Sequence, residues 1–134
     1  MFVFSAKSEV NLTLRVHPDL QRLFREVLKH VDCSILDGIR TLDEQRANVA
    51  AGRSWTMNSK HLPQSDGLSH ALDVAPYPQR WDDPNWKEDQ LYFAGFVLGV
   101  ASQMGIGVRW GGNWTGDNDP EHNTPEDLDH FELR

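Results

Sequence analysis

Apolar residues recur at steps of three and four after Pro18, which is the spacing of one face of an α-helix. The recurring residues are Leu20, Leu23, Phe24, Val27, Leu28 and Val31. Pro18 suits the first turn of a helix, because an N–H at that position would have no intrahelical partner. A helix is therefore predicted to begin at Pro18.

Two more helices are predicted from signals at their ends. Thr41 and Glu44 have the spacing of a capping box, which predicts a helix from about Leu42 to Ala51. The sequence DDPN at residues 82–85 is predicted to cap a third helix over Trp86–Met104, because Asp and Asn suit the start of a helix. Both helices are followed by a glycine, which suits a helix C-terminus.

Short apolar stretches bounded by turn residues predict four strands. These stretches are Ser34–Gly38, His70–Ala75, Ile106–Trp110 and Leu128–Leu133. The combined prediction is an α+β fold in which about three helices pack on a small, largely antiparallel sheet. We expect residues 1–134 to form a single domain, a size that can bury a core without disulfides.

Composition and charge narrow the functional class. The net charge is −7 and there is no basic run, so we expect no nucleic-acid partner. The longest mostly apolar stretch, Leu91–Ala101, is too short to span a bilayer, so we expect no membrane insertion. The single cysteine, Cys33, lies among apolar residues and is predicted to be a buried, inert thiol. The five tryptophans are predicted to form core and groove wall, and a monomer is expected.

The first ten residues lack the features of a secretory signal peptide. They contain no basic start, no long apolar run and no small-residue cleavage site. We therefore expect the protein to be made in the cytoplasm and to depend on another factor for release if it acts outside.

Candidate metal chemistry is concentrated in SKHLPQSDGLSHALDVAPYP, residues 59–78. His61 and Asp73 could supply two ligands if the intervening loop folds back. His70 and Asp73 are an odd number of residues apart, so on a strand they would face opposite sides and could not easily share one metal. The pair His61 and Asp73 is favoured, and replacement of a ligand by His70 stays open.

A third candidate ligand, His130, lies in EDLDHFE at residues 126–132. In an extended strand Asp129 would point away from the side of the sheet that carries His130. Asp127 precedes the predicted strand, where a turn could bring its carboxylate back towards the metal. A carboxylate there could take a proton from water and pass it to a leaving amine. Glu132 is predicted to be solvated or to orient a ligating histidine.

An acidic loop before His130 provides further possibilities. His122 is an alternative ligand that ranks below His130. The acidic residues between 117 and 127 could bind calcium, but they lack the regular spacing of a calcium-binding loop, so a solvated loop is favoured.

These residues also carry a resemblance to a known family. Ser59-Lys-His61, Gly67-x-Ser-x-Ala71-x-Asp73 and Asp127-x-x-His130 occur in the order of the pattern SxH…GxAxD…DxxH. That pattern is typical of the zinc D-alanyl-D-alanine carboxypeptidase and L-alanyl-D-glutamate endopeptidase superfamily, which includes VanX- and VanY-type enzymes and many phage endolysins.

The similarity covers nearly the whole chain, from about Val16 to Leu133. The segments 38–45 and 52–59 resemble the phage endolysin branch in particular. One departure is the spacing between His61 and Asp73, which is longer than in the shortest form of the pattern. HLPxxDGxxxAxD resembles a variant form in phage lysis enzymes.

The resemblance implies a Hedgehog/D,D-peptidase-like fold and a zinc site. His61, Asp73 and His130 would bind Zn²⁺, and Asp127 would act as general base and acid.

The resemblance also implies residues that contact the substrate. Arg40 would bind or polarise the substrate carbonyl or carboxylate, a role that suits a fixed guanidinium. Ser59 and Gln45 would lie near the substrate.

The function implied is that of a zinc-dependent peptidoglycan peptidase, a phage or prophage endolysin that hydrolyses the L-alanyl-D-glutamate bond of the stem peptide. It would be a single catalytic domain with no separate wall-binding domain, and it would reach the wall through holin-made pores. D-alanyl-D-alanine carboxypeptidase activity is the alternative within the class. A non-catalytic zinc-bearing binding module on the same fold is the alternative from another class, since the fold need not imply hydrolysis. A structural metal site closed by His70 or His122 is a third reading.

Overall fold

The structure, a computed structural model, describes residues 1–117 and 126–134. Within them the helices are α1 (Ala6–Thr13), α2 (Pro18–Leu28), α3 (Leu42–Ala50) and α4 (Trp86–Met104). The strands are β1 (Cys33–Asp37), β2 (Ala71–Pro76), β3 (Val108–Gly111) and β4 (Asp127–Leu133). The predicted α+β class and all four predicted strands are confirmed.

The four strands form one antiparallel sheet in the order β1-β2-β4-β3. One face of the sheet is apolar and packs against α2 and α4 in the hydrophobic core. The opposite face carries the polar side chains, because residues alternate between the two faces along a strand. Asp73 on β2 and His130 on β4 are direct partners in the ladder, so the two central strands bring them together.

The predicted start of α2 and the predicted boundaries of α3 hold because their caps form, whereas α2 ends at Leu28, before the last residue of its apolar pattern, Val31. The His17 side chain accepts a hydrogen bond from the Asp19 N–H at the start of α2. Thr41 and Glu44 make the complete capping box of α3. At the start of α4 the carboxylate of Asp83 accepts the Asn85 N–H, whereas Asn85 itself makes no side-chain cap. No helix within the described ranges is both long and apolar enough to cross a membrane.

Helix α1 was not predicted, so the expected number of helices was one too low. Its inward side is short and mostly polar, and only Ser8 and Leu12 are buried. The helix is held by contacts with β1 instead of by an apolar face. The Ser8 hydroxyl accepts the Ile35 N–H at 3.0 Å, and the Asn11 amide donates to the Ile35 carbonyl at 2.8 Å. These bonds satisfy an exposed sheet edge that would otherwise be open to other chains.

Cys33 is buried, as predicted. Burial, with a smaller contribution from Asp32, raises the pKa of its thiol to about 12. The thiol is therefore protonated and unreactive at neutral pH.

Gly38 follows β1 at a point where α1 comes very close. A Cβ on Gly38 would collide with the Asn11 carbonyl oxygen, a backbone atom that cannot rotate away. We therefore expect Gly38→Ala to lower the free energy of unfolding by about 1–3 kcal/mol, as measured by urea denaturation. Gly95→Ala is the matched control, because nothing lies within 4 Å of a Cβ at that position in α4. It is expected to be neutral or to stabilise by up to about 1 kcal/mol, and equal effects of the two changes would contradict the close packing of α1.

Candidate active site

The three predicted metal ligands lie together on the polar face of the sheet. The Oδ1 atom of Asp73 lies 3.2 Å from His61 Nε2 and 3.3 Å from His130 Nδ1. Candidate ligand atoms from all three residues lie within 4.8 Å of one another. Both histidines are buried and Asp73 is half-buried. Two imidazoles and a carboxylate at this separation are a donor set that a transition metal can bind.

Backbone groups around the loop 53–70 fix the ring of His61. Its Nδ1 lies 2.7 Å from the Gly38 carbonyl oxygen, which can only accept a hydrogen bond. Nδ1 must therefore carry a proton, and Nε2 is the ring nitrogen that faces Asp73. The His61 N–H is bound by the Ser59 hydroxyl and the His61 carbonyl by the Arg40 N–H. The predicted residue Ser59 thus supports a candidate ligand and also lines the cavity described below.

A carboxylate fixes the second ring in the same way. The Nε2 of His130 lies 2.9 Å from Glu132 Oε1, so the Nδ1 of His130 faces Asp73. Glu132 lies two residues after His130 on β4 and therefore shares its face of the sheet. The other oxygen of Glu132 lies 3.7 Å from Lys60 Nζ. Of the two roles predicted for Glu132, its position fits the one in which it orients a histidine. A carboxylate is a usual partner of a metal-binding histidine.

The buried groups at this site attract positive charge. Burial alone would raise the pKa of Asp73, but His61 and His130 outweigh it and hold that pKa below its ordinary value. Burial alone would lower the pKa of His130, but Asp73 and Glu132 raise it to about 9. The protein without metal therefore keeps a proton on His130 beside Asp73, at the position where a cation could bind.

Arg40 is held rigidly at the edge of this cluster. Its Nε donates to Asp37 at 2.7 Å, and its two terminal nitrogens donate to Gln45 at 2.9 Å and to Asp73 at 3.2 Å. Three of its five N–H groups are therefore used, and two remain to donate into the cavity. The capping box of α3 and the bond from the Arg40 N–H to the His61 carbonyl place this residue.

Gln45 is not exposed to the cavity, as a residue that contacts the substrate would be. It is fully buried, and its side-chain oxygen accepts from Arg40. Its amide nitrogen donates to the Ser54 hydroxyl and the Thr56 carbonyl. Because these bonds occupy the amide, Gln45 is arranged to position Arg40.

Asp127 reaches the site through an irregularity in the sheet. Gly111 pairs with Asp127, whereas the neighbouring Trp110 pairs with Phe131, so β4 bulges between these points. The backbone of Asp127 comes so close to Gly111 that any side chain on Gly111 would collide with it. This approach leaves Asp127 Oδ2 3.9 Å from His130 Nδ1, beside the candidate ligands.

The expected orientation of Asp129 was wrong. Its carboxylate lies within 4.8 Å of those of Asp73 and Asp127, on the same side as the cluster. The strict alternation that predicted the opposite side is broken by the bulge in β4. Burial and the two neighbouring carboxylates raise the pKa of Asp129 to about 8.

These groups line an open cavity of about 730 Å³. Trp114 forms one wall and lies tilted over His130, with 5.3 Å between ring centroids. Trp55 packs edge-on against Trp114 at 5.7 Å. Trp110, in contrast, packs against the core and donates its indole N–H to the Leu128 carbonyl at 2.8 Å. Trp55, Trp114 and Trp110 therefore take the predicted roles of groove wall and core. Trp81 does not, because it is exposed and packs edge-on against Trp86.

His70 lies outside this cluster, as the spacing predicted. Its Nε2 is 2.7 Å from Asp66 Oδ2 on the surface, next to the ring of His17. Donor atoms of His17, Asp66 and His70 also lie within 4.8 Å of one another. The Asp19 N–H occupies His17 Nδ1 as a helix cap, so only Nε2 of His17 is left as a donor atom in this group. His122 and most of the acidic loop lie outside the described residues.

Several components of the site were not found from the sequence. The Gly38 carbonyl is a backbone group, so no side-chain pattern could identify it. Lys60 and Arg109 line the cavity. Lys60 lies inside the SxH motif, and Arg109 follows from the alternation of β3 once its pairing with Glu132 is known.

Comparison with known proteins decides the family. The family model of phage L-alanyl-D-glutamate peptidases matches residues 1–134. The chain belongs to this family. The resemblance inferred from the three motifs is therefore confirmed, and the protein is a peptidase of the phage endolysin type that acts on the cell wall.

Individual relatives agree with this assignment. The L-alanyl-D-glutamate peptidase of Escherichia phage T5 is 31% identical over 126 residues, which cover 88% of this chain and 85% of the relative. The L-alanyl-D-glutamate peptidase of Listeria phage A118 is 34% identical over 93 residues, 69% of this chain but 30% of that protein. The crystal structure of the Serratia marcescens L-Ala D-Glu endopeptidase ChiX superposes with a TM-score of 0.73 at 34% identity, covering 98% of this chain and 90% of ChiX.

The buried site predicts how stability depends on pH in the metal-free protein. The pKa of His130 is raised to about 9 and that of Asp129 to about 8. Between the ordinary pKa of each group and its raised value, the folded state therefore binds more protons than the unfolded state. Stability must then fall as pH rises through this window. We expect urea denaturation with a chelator present to give a free energy of unfolding on the order of 5 kcal/mol lower at pH 9 than at pH 6, with about half from each group. Asp129→Asn should give a shallower dependence, and stability that rises towards pH 9 would contradict the assignment.

Proposed function

We propose that this protein is a zinc-dependent endopeptidase that hydrolyses the L-alanyl-D-glutamate bond of peptidoglycan stem peptides. His61, Asp73 and His130 would bind the zinc ion. Asp127 would be the general base and acid, and Arg40 would bind the substrate carbonyl. A substrate could reach these residues through the open cavity that they line.

The observation that carries the proposal is the fixed orientation of the two imidazole rings. Gly38 and Glu132 each occupy the outer nitrogen of one ring, which leaves His61 Nε2 and His130 Nδ1 directed at Asp73. Two nitrogens and one carboxylate oxygen match the preference of zinc for N and O ligands. Three protein ligands, instead of four, suit a catalytic site that keeps a position for water or substrate. A zinc ion held there would lower the pKa of water and polarise the scissile carbonyl.

The side chains around the donor set can handle protons and charge. Asp127 is half-exposed at the mouth of the site, and its carboxylate could take a proton from the attacking water. The same carboxylate could then deliver that proton to the leaving nitrogen. Arg40 has two N–H groups left to donate to the carbonyl oxygen as negative charge develops there. Because Asp37, Gln45 and Asp73 already hold its guanidinium, little reorganisation is needed.

The choice of bond rests on the relatives. Both named phage relatives and ChiX are described as L-alanyl-D-glutamate peptidases. We further propose that the protein acts as a monomer and reaches the wall from the cytoplasm after release through a holin.

Muropeptide digestion followed by mass spectrometry tests the reaction. We expect new peptides with N-terminal D-glutamate, and we expect a chelator to abolish them. Asp127→Asn keeps the shape of the side chain but removes its basicity, so kcat/KM should fall by about 10²–10⁴ while bound zinc is retained. Release of D-alanine alone would favour the carboxypeptidase alternative. Zinc binding without any cleavage would favour a non-catalytic binding module.

Glu132 should control metal affinity through His130. We expect Glu132→Ala to weaken zinc binding by about 10–100-fold, because the His130 ring loses the acceptor that fixes its tautomer. Glu132→Gln keeps an accepting oxygen and should weaken it less. Competition with a chromophoric chelator measures the affinity, and the exposed Glu88→Ala is the control with unchanged affinity. Unchanged affinity in Glu132→Ala would show that its bond to His130 does not support a metal site.

A further inference from the structure

Four cations line the cavity, and their hydrogen bonds distinguish them. They are Arg40, Arg53, Lys60 and Arg109. Arg40 is held by three side chains, as described above. Lys60 donates to the Leu133 carbonyl at 2.6 Å and lies near Glu132. Arg53 lies in an exposed loop, where its Nε donates to Asn48 at 3.2 Å.

Arg109 differs from the other three cations. Its Nε is buried and has no hydrogen-bond partner. Among the described residues it makes no ion pair within 4.0 Å. Its neighbour across the ladder, Glu132, is already engaged by His130 and Lys60. Arg109 lines the cavity, and no described residue accepts a hydrogen bond from its terminal nitrogens. These N–H groups are therefore the donors left for a ligand that supplies acceptors.

The backbone fixes where this charge lies. Arg109 pairs directly with Glu132 on β4, so it shares the polar face that carries His130. His130 is two residues before Glu132, which places its Cα diagonally about 7–8 Å from that of Arg109. One residue of an extended peptide spans about 3.3–3.6 Å. The guanidinium is therefore within reach of a substrate residue next to the cleaved bond.

The substrate has a group that this cation fits. A glutamate residue has two carboxyl groups, and only one of them can continue a peptide chain. When the cleaved bond lies at its nitrogen, the other carboxyl group stays free as an anion beside the leaving amine. A guanidinium binds a carboxylate through two parallel hydrogen bonds, and that interaction is strongest where water is partly excluded.

We propose that Arg109 binds the free carboxylate of the D-glutamate residue on the leaving side of the cleaved bond. This assignment rests on the proposed function and adds the determinant of specificity for that residue. Arg40 then remains available for the carbonyl oxygen. The two guanidiniums would recognise different groups of the same substrate.

The test compares two synthetic stem peptides that differ only at this group. One has the free carboxylate of D-glutamate and the other has a carboxamide in its place. The wild-type protein is expected to cleave the carboxylate peptide with a kcat/KM about 10–100 times higher, mostly through KM. Arg109→Gln should reduce that ratio to about 1, with the loss on the carboxylate peptide. Arg109→Lys should keep part of the preference, because it keeps the charge but not the paired donors.

Arg53→Gln is the matched control for a general effect of positive charge, and it should leave the ratio between the two peptides unchanged. A preference that survives in Arg109→Gln, or that is lost in Arg53→Gln instead, would overturn the assignment to Arg109. Equal cleavage of both peptides by the wild-type protein would also overturn it. Failure to cleave either peptide would contradict the proposed function itself and this assignment with it.

Discussion

Two hydrogen-bond acceptors determine the chemistry of this site. The Gly38 carbonyl and the Glu132 carboxylate each bind the outer nitrogen of one imidazole ring. A backbone carbonyl and an ionised carboxylate can only accept hydrogen bonds. The inner nitrogens of His61 and His130 must therefore face Asp73. Without these acceptors the rings could rotate or change tautomer, and the same three residues would not present a defined set of donor atoms.

The architecture serves to hold these acceptors and the donors between them. The central strands β2 and β4 pair Asp73 directly with His130. Because side chains alternate between the two faces of a strand, Glu132 lies on the same face of β4 as His130, on the side away from Asp73. Gly38 follows the edge strand β1, where α1 satisfies the outer backbone groups and packs tightly against the turn. The stability of the site thus depends on a short helix far from the chemistry in sequence.

Much of this arrangement could be predicted from sequence because it rests on local rules. Capping residues gave the start of α2 and both ends of α3 and α4 nearly to the residue. The motif spacing gave His61, Asp73 and His130. Other parts depend on tertiary contacts that leave little trace in a pattern. Helix α1 has almost no apolar face.

The orientation of side chains was harder to predict than their position in the chain. The bulge in β4 turned Asp129 towards the cluster against simple alternation. Gln45 matched a substrate-contacting position, but its amide is used inside the protein to hold Arg40. In both cases the deciding factor was a backbone path that sequence spacing does not contain.

Anomalous diffraction at the zinc edge from crystals grown with zinc would test the central claim most directly. The expected result is one strong peak bound by His61 Nε2, Asp73 and His130 Nδ1, with Glu132 still on His130 Nε2 and Asp127 beside the peak but not bound to it. A peak at His17, Asp66 and His70 alone would contradict the account. A fourth protein ligand that closes the site would contradict it as well, because no position would remain for water or substrate.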